Sequence, residues 1–219
     1  MHEALELFKH VINPQWIFEH GGLWLLLFVI FAETGLFIGF FFPGDSLLFV
    51  TGMSLSAHPI TLSNGMAFNV WSVIVLVIIA GVLGNLVGYW FGAKSGPLLF
   101  NKKESLLFKP KHLQAAKDFY EKRGAMAIVF ARFLPFLRTF APIVAGIVKM
   151  DRKKFLIYNV FGCIAWVCAM ILMGYFLGQQ FPGLEKHLDK IVIGIVLITT
   201  APILFKVFFG KKSEKSASH

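Results

Sequence analysis

The chain has 219 residues, 57% of them hydrophobic, with 25 Phe, a net charge of +9 and a mean hydropathy of +0.70. Soluble domains hold apolar residues near half of the chain, so this composition excludes one and indicates an integral membrane protein. The apolar runs are continuous rather than alternating, which excludes a barrel and leaves an all-α integral membrane protein, one domain over 1–219.

Residues 2–12, HEALELFKHVI, set Ala4, Leu5, Phe8, Val11 and Ile12 on one stripe before Asn13-Pro14 stops the pattern. An interfacial amphipathic helix within 1–20 is expected. The acids Glu3, Glu6 and Glu19, with no small-residue cleavage site near them, argue against a secretory signal peptide. Residues 22–57 are apolar apart from Glu33 and FFPGDS at 41–46, whose Pro43-Gly44 divides the run into two short arms. The first arm, 22–42, amounts to about 31 Å of helix, enough either to re-enter or to span. A weakly polar link at 58–69 leads to a transmembrane helix over 70–93. A basic link over 94–124 follows, with a second amphipathic stripe at Leu113, Ala116, Phe119 and Tyr120. Then come the apolar segment 125–148, transmembrane helices at 155–178 and 191–209, and a lysine-rich tail at 210–219.

Charge orients these segments. Residues 94–123 hold eight Lys or Arg against three acids, 149–154 hold four against one, and 206–215 hold four against one. The links 46–69 and 179–190 are net neutral. The positive-inside rule puts the basic segments, including the C-terminus, in the cytoplasm and the neutral links outside. Segment 125–148 then has cytoplasmic links on both sides and cannot cross once. A second re-entrant hairpin, turning between Pro135 and Pro142, is the simplest solution, and a kinked span with one link misassigned is the other. The helix after the first hairpin ends GYWFG (88–92) and the helix after the second ends GYFLG (174–178). Hairpin plus helix thus occurs twice with opposite polarity, an inverted repeat with its site at the midplane. Packing of small residues beside an interfacial tyrosine explains the GYxxG match equally well.

At bilayer depth stand four ionisable residues: Glu33 and Asp45 in the first hairpin, Arg132 and Arg138 in the second. Each costs roughly 2.5–3.5 kcal/mol at a helix centre, so opposed hairpins should bring all four together as a neutral set. The chain has 17 Lys and four Arg, yet both cations here are Arg, whose rigid fork suits a carboxylate or a phosphate. Salt bridges that only fix the hairpins are one reading. A phosphate-bearing ligand competing for Arg132 and Arg138, with Glu33 and Asp45 as proton-coupling groups, is the other. Cys163 and Cys168, about 140° apart on one helix, are expected as free thiols. No histidine clusters with Cys or carboxylates, so neither metal nor cofactor is expected.

Glu33, FFPGDSLL, GYWFG and FARFLPFLRTFAPIVAG (130–146), in this order, resemble the DedA membrane-protein family, related to the eukaryotic VTT-domain (SNARE-associated Golgi) lipid scramblases. The similarity covers roughly residues 20–210. It implies two opposed re-entrant hairpins with an essential acid pair and arginine pair at Glu33, Asp45, Arg132 and Arg138. It also implies proton-motive-force-dependent transport in the bacterial inner membrane, in some members return of undecaprenyl phosphate for envelope synthesis. The expected partners are a phospholipid or polyprenyl phosphate, protons, the membrane and a second copy of the chain, with no nucleic acid. A proton-coupled exporter of small cations or drugs and a non-transporting scaffold are the alternatives. A lipid phosphatase would need a nucleophile, and no histidine lies between His112 and His187.

Overall fold

The computed structural model describes residues 22–36, 44–57, 60–61, 67–101, 129, 132 and 135–181. The interfacial helix at 1–20, Pro43, the amphipathic stripe at 113–120, most of 125–134, the helix at 191–209 and the tail lie outside the described residues. The described elements are α1 (Gly22–Gly35), α2 (Gly44–Ala57), β1 (Ile60–Thr61), β2 (Ala67–Phe68), α3 (Val70–Asn101), α4 (Pro135–Ile147) and α5 (Arg152–Gln180). Apart from the two-residue antiparallel ladder of β1 and β2, which pairs Ile60 with Phe68 inside the weakly polar link, every described element is helical.

Among the described residues two helices, Val70–Gly96 and Arg152–Gln180, are long and apolar enough to cross a membrane. Their surfaces suit lipid. Along α3 the exposed residues Val75, Ile79, Leu83 and Val87 follow a spacing of four between exposed Trp71 and Trp90. That stripe is apolar where a soluble helix would be charged, and its tryptophans stand about 28 Å apart, close to the hydrocarbon thickness. The interior, by contrast, takes the polar groups: Glu33, Asn85, Arg132, Arg138 and Asn159 are all buried. Around them lie Leu23, Leu26, Ile30, Leu47, Val73, Val77, Trp166 and Ile171, the apolar core.

Close backbone contacts give the direction of each helix. Phe31 and Gly35 of α1 meet Gly84 and Gly88 of α3, advancing together, so α1 and α3 run in the same sense. The Ile78 carbonyl meets Cys163 and the Val82 carbonyl meets Asn159, so α3 and α5 run oppositely. A Cβ on Gly174 would strike the Phe49 carbonyl oxygen, one on Gly178 would press on that of Met53, and one on Gly52 would strike that of Ile171. Helix α2 therefore runs with α5 and against α1. The contact of α4 with α3 has the same construction: Gly92 against the Ile143 oxygen, Gly96 against Ile147 and Gly146 against Tyr89. Adding 94 to Phe49, Gly52 and Met53 gives Ile143, Gly146 and Ile147, and subtracting 82 from Ile171, Gly174 and Gly178 gives Tyr89, Gly92 and Gly96. One helix-on-helix contact is built twice, each time between a short helix and a long one, and the two copies point in opposite directions.

Four expectations are corrected here. Helix α3 does not stop near residue 93 but continues to Asn101, so the first residues of the basic link are helical. Pro142 is not part of a turn; it lies inside α4. A proline withholds one N–H from the ladder and crowds the carbonyl four residues back, yet helices buried among neighbours tolerate it in a membrane. Pro135 instead occupies the first position of α4, where its missing N–H has no helical partner to lose and its fixed φ suits the helix. Gly44 likewise opens α2. Third, α5 begins at Arg152 rather than 155, because the Asp151 carboxylate accepts from the Lys154 N–H at 2.9 Å and caps the helix. Last, the GYWFG and GYFLG match sets Gly92 against Gly178, whereas the contacts set it against Gly174. A small residue every fourth position lets the two sequences slip by one helical turn.

The turn between α4 and α5 is fixed from outside. Lys149 takes a left-handed φ of 53°, with the Met150 N–H donating to the Ala145 carbonyl at 2.9 Å. The Tyr89 hydroxyl of α3 donates to the Met150 carbonyl at 2.5 Å, and its ring stacks on Phe155 at 4.5 Å.

Candidate functional site

Three helices deliver the charged residues to one buried region. Glu33 stands in the last turn of α1, Asp45 in the first turn of α2 and Arg138 in the first turn of α4. The helix starts at Gly44 and Pro135 and the helix end at Gly35 put these residues at helix ends, where side chains from three directions converge. Arg138 donates from one terminal nitrogen to Asp45 Oδ1 at 2.5 Å and from the other to Glu33 Oε1. Glu33 is 1% exposed and Arg138 8%, so this is an ion pair away from water, which depends on every partner remaining in place.

Two further groups complete this level. The Trp166 indole N–H of α5 donates to Asp45 Oδ1 at 2.8 Å, and the Arg138 guanidinium carbon lies 5.1 Å from the Trp166 ring centroid. Trp166 thus holds the anion by its edge and the cation by its face. Gly44 is needed for a different reason: any Cβ there would collide with the Glu33 carboxylate. The acid at the end of α1 closes against the start of α2, and a side chain at position 44 would displace its carboxylate.

Arg132 lies elsewhere, which corrects the expectation of four charges in one set. It is 3% exposed, and among the described residues no carboxylate pairs with it. Its Nη2 donates instead to Asn159 Oδ1 of α5 at 2.5 Å, with the Cys163 thiol beside it. Asn159 Nδ2 donates in turn to the Val82 carbonyl at 3.2 Å. Asn85 of α3 fits this cluster in either amide orientation. With its nitrogen toward Asn159 it donates at 2.7 Å; turned over, the nitrogen reaches the Thr34 carbonyl at 2.9 Å and the oxygen faces Arg132. The Arg132 side chain lies along α5 at Gly162, where a Cβ would meet that side chain and the Val129 backbone.

The region therefore has two levels along α5. Asn159, Cys163 and Trp166 share one helix face, and the seven residues from Asn159 to Trp166 rise about 10 Å. The acid–arginine level is at Trp166 and the Arg132–amide level is nearer the basic end at Arg152–Lys154. Four buried polar atoms have no partner among the described residues: Glu33 Oε2, Arg132 Nε, Arg138 Nε and Thr139 Oγ1. Asn85, Asn159 and Trp166 were absent from the sequence expectations. A lone amide in the middle of an apolar helix is a usable signal for the first two, while nothing in the sequence distinguishes Trp166 from the lipid-facing tryptophans.

Comparison with known proteins finds relatives that are membrane proteins. The VTT domain family matches residues 29–176. The chain is 36% identical over 200 residues to Protein DedA of Escherichia coli (strain K12), covering 90% of this chain and 88% of that one. It is 36% identical over 203 residues to an uncharacterised membrane protein of Mycobacterium leprae (strain TN), covering 93% and 87%. To the inner membrane protein YqjA of Escherichia coli (strain K12) it is 32% identical over 203 residues, covering 92% and 85%. No solved structure matches the chain.

Proposed function

The chain belongs to the DedA family of VTT-domain membrane proteins, and from that premise we propose that it is a proton-coupled carrier of an anionic phospholipid in the bacterial inner membrane. The observation that carries this reading is Arg138 held by both Glu33 and Asp45 inside the protein. A proton arriving on either carboxylate removes one of the two charges that keep the guanidinium in place. The loosened pair lets the interior admit a phosphate, and a departing proton restores the original pair. The site so read has two states, each biased by one of the transported species.

Two re-entrant hairpins in inverted repeat form the frame of this reading. Support comes from the lengths and directions of the helices. Helices α1 and α2 are 14 residues each and α4 is 13, or about 20 Å, short of the ~30 Å hydrocarbon core. Helix α1 runs against α2, as the arms of a hairpin do, and the glycine contacts of α2 on α5 recur inverted for α4 on α3. Each hairpin then leans on the long helix of the other repeat, so movement of one half is transmitted to the other.

Phosphate rather than a cation as the cargo is favoured because both acids already have a cation from the protein, whereas Arg132 has no carboxylate among the described residues. Undecaprenyl phosphate, a phosphate monoester on a long apolar chain, brings an anionic headgroup to the charged interior and an apolar tail to the bilayer. The chemistry is carriage, with no bond made or broken. Leaflet-resolved flux of labelled undecaprenyl phosphate in proteoliposomes tests it. We expect flux to rise when a pH gradient is imposed and to fall when the gradient is collapsed. Equal flux with and without the protein at every gradient would refute the proposal.

A further inference from the structure

We propose that Arg132, with Asn159 and Asn85, forms a phosphate-monoester recognition level distinct from the Arg138 switch, in which the Asn159 amide oxygen holds the position that one phosphate oxygen takes. The inference rests on the phosphate-carrier reading and assigns within it which arginine receives the ligand.

The two arginines differ in what occupies them. Arg138 has a carboxylate on each terminal nitrogen, so its charge is met inside the protein. Arg132 is as deeply buried and has no carboxylate among the described residues, but a neutral amide oxygen on Nη2 and the Cys163 thiol beside it. Its Nε, on the same edge of the guanidinium, has no partner there at all. That edge, Nε beside Nη2, is the side-on fork by which arginine grips two oxygens of one oxyanion. One prong rests on Asn159 and the other is unused. A buried cation facing neutral dipoles retains most of its desolvation cost, and a phosphate removes it.

The amides add selectivity. Asn159 sits where α3 and α5 cross and is fully buried, its nitrogen donating to the Val82 carbonyl at 3.2 Å, so its oxygen marks the place in line with Arg132 that a phosphate oxygen takes when the amide turns aside. Asn85 presents either its oxygen or its nitrogen to the same spot. With its nitrogen inward it is a donor beside the guanidinium edge, giving three donors that converge on a compact anion with several free oxygens. A phosphate monoester has three such oxygens and a diester two. The seven-residue rise from Asn159 to Trp166, about 10 Å along α5, sets the amide partner of Arg132 and the indole partner of Asp45 at different heights, so ligand and proton act on separate guanidinium groups.

The test is binding of farnesyl phosphate by the full-length protein in detergent micelles, measured calorimetrically against farnesol and inorganic phosphate. Wild type is expected to bind farnesyl phosphate and not farnesol. Asn159→Asp supplies Arg132 with a permanent internal carboxylate and should weaken farnesyl phosphate by at least about tenfold. Asn85→Asp should do the same, and carries the comparison if Asn159→Asp fails to fold. If inorganic phosphate binds comparably, the level reads a free oxyanion; if only farnesyl phosphate binds, it reads a lipid headgroup; both support the assignment. If wild type does not distinguish farnesyl phosphate from farnesol, the carrier reading falls and this inference with it. If wild type distinguishes them and the folded Asp variants bind as tightly as wild type, the assignment alone is overturned.

Discussion

Replacing Arg138 by glutamine perturbs the charged level most directly. It strands Glu33, 1% exposed, and Asp45 facing one another without a cation. Removing one partner of a buried ion pair costs about 3–5 kcal/mol. Asp45 keeps the Trp166 N–H at 2.8 Å, a charge-assisted bond of about 1.5–3 kcal/mol, so most of the loss falls on Glu33. Glu33→Gln in the Arg138→Gln background should therefore recover stability rather than lose more. The double-mutant cycle should give a coupling of about 2–3 kcal/mol. Equilibrium unfolding in mixed SDS micelles, run on wild type, both single variants and the double variant, measures it. Losses that add to within about 0.5 kcal/mol would show that the two side chains do not act on each other, and the switch built on them would be lost.

Glu33→Gln alone leaves Arg138 on Asp45 and should fold, but flux in proteoliposomes should no longer respond to the pH gradient; a response of wild-type size refutes the proton role of Glu33. Gly44→Ala should reduce flux at least tenfold with modest loss of stability, because the new methyl displaces the Glu33 carboxylate; wild-type flux would show that their close approach is dispensable. Trp166→Phe keeps the ring beside Arg138 and removes the N–H from Asp45, for an expected loss of about 1.5–3 kcal/mol, read by the same unfolding assay. Gly174→Leu and Gly92→Leu push against the Phe49 and Ile143 carbonyl oxygens in matched contacts. Each should cost about 1–3 kcal/mol or more, and a large loss at one with none at the other would contradict the equivalence of the two contacts.

Much of this was legible from sequence because a membrane makes exceptions conspicuous. Glu33, Asp45 and Arg138 stood out as charges in apolar runs, and the cost of leaving them unpaired dictated that they meet. The breaks at Gly44 and Pro135 were legible for the same reason, since both residues open helices. Pro142 misled: a proline marks where one N–H is missing, and only the surrounding helices decide whether the chain turns there or continues. Arg132 also misled. Counting charges paired it with an acid, but the count ignores amides, and Asn85 and Asn159 supply oxygen at no charge. The register of the GYWFG and GYFLG segments was ambiguous because glycines four apart look the same from either turn, and the backbone oxygens they approach are invisible in a sequence. The extension of α3 to Asn101 was hidden by the onset of charge at Lys94, which signals the end of the hydrocarbon and not the end of the helix.

The central claim is that a proton and a phosphate act on one interior through its two arginines. Linkage makes this measurable: if ligand binding draws an acid away from Arg138, adding ligand must change the number of protons bound. Farnesyl phosphate added to the purified protein in weakly buffered micelles, with a pH dye as readout, should cause uptake of up to about one proton per chain, and Glu33→Gln should abolish the uptake while preserving binding. Binding of farnesyl phosphate with no proton taken up or released at any pH between about 5 and 8 would contradict the account.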